Sequence, residues 1–237
     1  GLFEQFGPLR VRDTPISEQA ILGAAMGAAM TGLKPIAEIM FSDFIAVCFD
    51  YLANEFSKSR YMTSGQVKCP LVVRTANGGS VRFGAQHSQS VENWCMMIPG
   101  LKVVAPSTPR DVIGLMAAAV RDPDPVIFFE HKGLYASKGE VEDGEIVDTL
   151  GSAKIVRPGK DATILALALM VPRALAAAGP DLAPRAAYNL GNALFHDEKY
   201  DDAIKAYTRA LKAAPADADA KHNLELALRA LEEKKQQ

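Results

Sequence analysis

One carboxylate and one imidazole stand out by their surroundings. Asp13-Thr14-Pro15-Ile16-Ser17-Glu18 runs into a stretch rich in glycine and alanine, so Glu18 sits at the entry of a tightly packing helix. Downstream, Gly84-Ala85-Gln86-His87-Ser88-Gln89 sets a histidine among small and polar residues. An acid and an imidazole, each flanked by residues too small to block approach, suit an acid–base group at the mouth of a cofactor pocket. A glutamate at a helix start also serves the helix dipole, so it is the context that marks Glu18 rather than its type. His131, His196 and His222 carry no motif and read as structural or exposed. Cys48, Cys69 and Cys95 are far apart and lack metal-ligand or redox spacing, so they read as buried reduced thiols of a cytoplasmic protein.

Positioning those groups falls to an ordered alternation of elements. Ser17 suits an N-cap, Ser17 to Met30 a helix, and Gly32 its stop. Gly23, Ala24, Gly27 and Ala28 are expected to let that helix lie close to a sheet. Pro35 to Met40 reads as a short buried strand, and Asp43 to Lys58 as a helix with Phe44, Val47, Cys48, Tyr51 and Leu52 on one face. Pro70 to Arg74 reads as a strand, with the loop Asn77-Gly78-Gly79 leading to the histidine cluster. Ser90 to Met97 reads as a helix, Lys102 to Pro106 as a strand, Thr108 to Val120 as a helix capped at Ser107 or Thr108, and Val126 to Glu130 as a strand. This alternation predicts an α/β fold, a parallel sheet with helices on both faces. Such sheets bind ligands at the carboxyl ends of their strands, where Glu18 and His87 would lie. Gly133 to Gly159 reads as a polar linker, Ala162 to Leu169 as a buried strand, and Val171 to Ala178 as the start of a helix.

From Pro184 the pattern changes. Tyr188, Leu190-Gly191, Leu194, Tyr200, Ala203, Tyr207, Ala210 and Pro215 fall at the spacing of a tetratricopeptide repeat. Asn189 and Leu190 recur as Asn223 and Leu224, 34 residues later, but Glu225 stands where Gly191 stood. Residues 184–237 therefore read as one repeat plus a capping helix, a small all-α tail that suits a peptide partner.

The 237 residues carry a net charge of −2 and are 49% hydrophobic and 23% charged, a globular profile. With no dense basic run, nucleic acid is excluded as a partner. No stretch reaches the roughly 18 apolar residues of a membrane span, and no secretory signal is visible. The sequence begins at Gly1 in mid-pattern, so an upstream segment is expected.

Residues 1–178 resemble the beta subunit of the thiamine diphosphate-dependent 2-oxoacid (pyruvate, branched-chain, acetoin) dehydrogenases. The resemblance is carried by Arg12 to Glu18, Glu38 to Phe44, Arg60 to Gln66, Gly84 to Gln89, Pro99 to Ser107 and Asp124 to Glu130. It implies a transketolase-type pyrimidine-binding domain over 1–135 lacking its first helix and strand, a linker over 136–160, and the start of a truncated C-terminal domain over 161–179. It also implies an alpha subunit that holds the diphosphate and Mg²⁺, a two-alpha two-beta assembly, and acyl transfer to a lipoyl acyltransferase core. Glu18 matches the glutamate that hydrogen-bonds a ring nitrogen of the aminopyrimidine and favours its imino tautomer. Phe44 matches the aromatic residue that stacks on that ring, with Ile16 and Met40 completing the apolar wall. His87 matches a histidine near the reacting carbons that steers proton transfers. Leu71, Ala119, Val120, Asp122 and Asp124 match positions that ring a K⁺ ion in some members. Two functions follow: a decarboxylase subunit, or a catalytically inactive fusion whose helical tail recognises a peptide.

Overall fold

The computed structural model describes residues 1–79, 81–160, 162–177 and 182–236. They form two compact units, Gly1–Lys154 with Leu167–Leu169, and Ile155–Ala166 with Met170–Gln237.

The first unit runs α1 (Leu2–Phe6), α2 (Glu18–Met30), β1 (Ile36–Phe41), a mixed helix ending in α3 (Ser57–Met62), β2 (Val72–Asn77), α4 (Glu92–Met96), β3 (Lys102–Val104), α5 (Pro109–Arg121) and β4 (Val126–His131). The four strands are parallel in the order β1-β2-β4-β3. β4 is an interior strand, and Val126 to Phe129 are buried on both of its faces. On one face Val73, Ile127 and Phe129 pack with Leu22 of α2, with Ile45, Leu52 and Phe56 of the mixed helix, and with Cys95 of α4. On the other face Val72, Val104, Val126 and Phe128 pack with Ala119 of α5.

Two helices have clear local end signals. α5 starts on a full capping box, Thr108 with Asp111, followed by Pro109 in the first turn. α2 closes on Gly32, at φ +99°, with Leu33 N–H donating to Ala28 O and Gly32 N–H to Ala29 O, a Schellman ending. Ser17 occupies the N-cap of α2 but its side chain makes no capping bond. The small face of α2 differs from expectation: Ala24 and Gly27 are exposed, and Leu22, Ala25 and Ala29 are the buried residues. Gly23 alone of that set has a packing reason, since a Cβ there would meet the Tyr51 hydroxyl at 2.8 Å.

The helix expected over Asp43–Lys58 is a composite. Ser42–Cys48 is 3₁₀, Tyr51–Phe56 is π-helical and Ser57–Met62 is α. The tight turn brings Ile45 and Cys48, three apart, to the core side, and Leu52 and Phe56 follow at intervals of four. Val47 falls off that face and is exposed. The strand expected to be buried over Pro35–Met40 is an edge strand: Ala37 and Ile39 are covered, whereas Ile36 and Met40 are exposed because the α5-side core includes no residue of β1.

Residues 139–150, part of the expected linker over 136–160, lie along α5. Arg110 pairs with Glu142 and Asp148, Arg121 with Glu145, and Asp148 N–H donates to Gly114 O, while Ile146 is buried. The strand expected over Ala162–Leu169 does not form. Ile164 and Leu167 are exposed and Leu165 is 91% exposed, since a lone strand has no ladder to join. The expected breaks at Gly179 and Pro180, the helix end at Ala178, and Asp161 and Gln237 lie outside the described residues.

The second unit holds α6 (Met170–Ala177), α7 (Leu182–His196), α8 (Tyr200–Ala213) and α9 (Ala218–Gln236). α7, α8 and α9 meet through alanines (Ala187, Ala203, Ala210, Ala220, Ala227) and the buried ring of Tyr207. Tyr207 Oη donates to Asn192 Oδ1 at 2.8 Å, and Asn223 Nδ2 donates to the same oxygen at 2.9 Å. Gly191 has no side chain because the Tyr207 ring fills the space where a Cβ would stand. Glu225, its counterpart one repeat later, is exposed and meets no such ring.

Gly27→Ala is expected to stabilise by about 0.5–1 kcal/mol, because the site is helical and a Cβ there meets nothing. Gly100→Ala is expected to cost roughly 1–3 kcal/mol, since φ is +99° and a Cβ would collide with Ser57 O. Gly191→Ala is expected to cost about 1–3 kcal/mol by displacing Tyr207. Urea midpoints of the three variants test these signs. Burial holds the Cys48, Cys69 and Cys95 thiols above the ordinary 9.0, at about 11, 11 and 12. Folding favours their protonated forms, so this contribution is full below pH 9 and lost as pH rises through 9 toward 12. Urea midpoints are therefore expected to fall steadily over that range, and a midpoint that stays level to pH 11 contradicts it.

Candidate functional site

The carboxyl ends of β1, β2 and β4 converge on one cluster. The register of β1 on β2 slips between Ile39 and Phe41, so Phe41 lies beside Ala76, a bulge at the rim of the sheet. The chain then enters the mixed helix, where Ser42 Oγ donates to Asn77 Oδ1 at 2.7 Å at the end of β2. Asn77 Oδ1 also accepts from Val91 N–H at 3.3 Å, and Asn77 Nδ2 donates to Glu92 Oε1 at 2.6 Å. Gly78 N–H donates to Gln89 O at 2.8 Å, closing the loop that carries the histidine. Gly84, at φ +79°, turns the chain into the short 3₁₀ segment Ala85–His87.

His87 is half-buried. Its ring lies edge-to-face with Phe41 at 4.5 Å and with Phe44 at 5.2 Å, and Phe83 stands 5.9 Å from Phe41. Lys132, the residue after β4, is 6% exposed. Its ammonium donates to His87 O at 2.8 Å and lies 5.1 Å from the Phe41 ring centre. Burial holds the Lys132 pKa below its ordinary value, and the charge of Asp43 works against that shift. Asp43 is buried; Oδ1 accepts from Gln89 N–H at 3.1 Å, and Oδ2 has no hydrogen-bond partner. Beside this cluster the end of β4 is fixed by a bidentate Arg74–Glu130 pair, with Tyr135 donating to Glu130. Burial first, then the Glu130 charge, pushes the Tyr135 phenol up to about 12.

Glu18 opens α2 and is half-buried. Gln19 Nε2 donates to Val47 O at 3.1 Å, docking the start of α2 on the mixed helix. Burial, with the Glu18 charge adding to it, pushes the neighbouring Cys48 thiol to about 11. Glu18 and Phe44 are thus tied to one 3₁₀ segment, and Phe44 touches His87. Ile16 is 80% exposed and Met40 62% exposed, so neither closes an apolar wall within this unit.

The residues expected around K⁺ lie at the other end of the sheet, ahead of β2 and β4. Lys102 holds both oxygens of Asp122, and Arg60 holds Asp124 at 2.6 Å. Leu71 O accepts from Val126 N–H, and Ala119 O from Asp122 N–H. Val120 is half-buried against the α5-side core. Among the described residues no cluster of three or more His, Cys, Asp or Glu is placed to hold a metal. A recess of about 880 Å³, lined by Arg60, Tyr61, Lys102 and Asp124, opens at this amino end rather than beside His87. We give the His87 cluster the greater weight, because it gathers the imidazole and aromatic rings at the carboxyl edge, whereas the recess holds cations and carboxylates already paired.

Sequence reasoning missed Phe41, Phe83, Asp43 and Lys132. The local signals for two of them are weak: Lys132 follows an apolar strand at its carboxyl end, and Asp43 stands between Phe41 and Phe44.

Comparison with known proteins places these features. Residues 1–138 match the family described as transketolase, pyrimidine binding domain, and residues 184–217 match the tetratricopeptide repeat. The chain is 52% identical over 178 residues to the acetoin:2,6-dichlorophenolindophenol oxidoreductase subunit beta of Cupriavidus necator, covering 75% of this chain and 52% of that protein. It is 50% identical over 179 residues to the 2-oxoisovalerate dehydrogenase subunit beta of Bacillus subtilis, covering 75% and 55%. It is 46% identical over 182 residues to a mitochondrial pyruvate dehydrogenase E1 component subunit beta of Oryza sativa, covering 75% and 48%. The chain therefore spans about half the length of the curated relatives it matches. Among solved structures, a split gene transketolase described as an inactive beta4 tetramer superposes with TM-score 0.60 at 26% identity, covering 74% of this chain and 54% of that one. The parallel sheet, its histidine loop and these matches together make the chain a member of the transketolase pyrimidine-binding domain family, joined to a tetratricopeptide repeat.

Proposed function

We propose that residues 1–178 serve as the aminopyrimidine-binding part of a 2-oxoacid dehydrogenase beta subunit. In this reading an alpha subunit holds the diphosphate and Mg²⁺ of thiamine diphosphate, in a cytoplasmic two-alpha two-beta assembly that delivers acyl groups to a lipoyl acyltransferase core. The observation that carries it is that Glu18 at the start of α2 and His87 both reach the 3₁₀ segment Ser42–Cys48, Glu18 by its charge at Cys48 and His87 by its ring contact with Phe44.

The side chains fit such a group. A flat heterocycle needs an aromatic face and a hydrogen-bonding acid; Phe44 and Phe41 offer the first and the half-buried Glu18 carboxyl the second. Thiamine diphosphate, when bound, supplies the carbanion chemistry that decarboxylates a 2-oxoacid. Glu18 then orients and polarises the ring, and His87 holds or returns a proton near the reacting carbons. The aromatic shelf is partly exposed, as Phe83 is 58% exposed, which suits a site completed by a partner subunit. The tetratricopeptide match over residues 184–217 favours a second reading, an inactive fusion whose repeat binds a peptide.

In a mixture with an alpha subunit, Glu18→Gln is expected to weaken thiamine diphosphate binding by roughly 10–100-fold in calorimetry, the worth of one charged hydrogen bond. His87→Ala is expected to keep that binding and lower 2-oxoacid turnover by about 10²–10⁴-fold. Unchanged binding in Glu18→Gln removes Glu18 from the site. Absence of thiamine-dependent turnover in every mixture leaves only the second reading.

A further inference from the structure

The loop that carries His87 is fastened by two buried side chains of opposite charge. Lys132 comes from the end of β4 and Asp43 from the segment after β1, whereas the loop itself leaves β2, the strand between them. Lys132 Nζ donates to His87 O at 2.8 Å, and Asp43 Oδ1 accepts from Gln89 N–H at 3.1 Å. Lys132 reaches His87 a second way, because its ammonium lies over the Phe41 ring, which is edge-to-face with the imidazole. Within the loop Gly78 N–H donates to Gln89 O at 2.8 Å and His87 N–H to Gly84 O at 3.5 Å, and the two side chains add contacts from outside it.

Burying an ammonium and a carboxylate costs several kcal/mol each before their partners are counted. Asp43 additionally leaves Oδ2 without a partner. An apolar residue at either position would avoid that cost, so the charges are spent on conformation rather than on stability. We infer that Lys132 and Asp43 are positioning residues that clamp the His87 loop against the Phe41–Phe44 shelf. The catalytic weight of the clamp rests on the role proposed for His87; the clamp itself rests on the contacts.

The test uses the full chain and side-chain NMR of its histidines. In the unaltered protein the His87 ring protons are expected to be displaced from free-histidine positions by Phe41 and Phe44. Lys132→Met is expected to move them toward free positions and to speed exchange of the Gln89 amide by at least about tenfold. Lys132→Arg, which keeps a donor, is expected to restore both. His87 signals and Gln89 exchange unchanged in Lys132→Met overturn the clamp. Reductive methylation of the unaltered chain gives a check that needs no variant: Lys132 is expected to resist while the exposed Lys138 and Lys160 react, and equal rates overturn the proposal. Turnover with an alpha subunit separates the two ideas. His87 signals moved to free-histidine positions with full turnover in Lys132→Met refute the role of His87 and leave the clamp. Unmoved signals in that variant, beside lost turnover in His87→Ala, refute the clamp and leave the role.

Discussion

Parallel pairing of β2 with β4 over six unbroken residues, Val72↔Val126 to Asn77↔His131, is the constraint on which the first unit depends. It buries β4 on both faces and splits the core into two layers. It also brings Asn77 and His131 to the same level, so the loop after β2 and the lysine after β4 must meet. A parallel sheet has no carboxyl-end hairpins to crowd that edge, and here it is filled by loops bearing an imidazole, a lysine, an aspartate and three phenylalanine rings.

What the sequence disclosed was whatever depends on short-range pattern. The helix at Thr108–Val120 was legible because Thr108, Pro109 and Asp111 cap it locally, and the strand at Val126 because an apolar run between turns has few other uses. His87 was conspicuous from its neighbours as a candidate. Lys132 and Asp43 were far less so: each is an ordinary charged residue until strands more than thirty positions apart are set side by side. The composite helix was hidden for a related reason, since the switch from spacing of three to spacing of four at Cys48 and Leu52 answers to the sheet beneath it. The strand expected at Ala162–Leu169 shows the reverse error. Its apolar run satisfies the local pattern, but a strand is a property of the ladder it joins.

The helical tail follows another rule. Its buried core residues are alanines and the Tyr207 ring wedged over Gly191, with Tyr188, Leu194 and Leu224 half-buried around them. Shape matching of this kind tolerates little enlargement, and the amide network of Asn192 and Asn223 fixes how the helices face one another. At the matching position of the second copy stands Glu225, which is exposed.

Gly78 shows how far the demands of the histidine loop extend. It stands at φ +80°, and the His131 ring occupies the place its Cβ would take. Any larger residue there would press on the neighbour of Lys132 and so disturb the loop from behind. Freedom to vary at the carboxyl edge is thereby narrowed at a position that contributes no side chain to the cluster, and a survey of tolerated substitutions would trace the outline of the cluster from its supports.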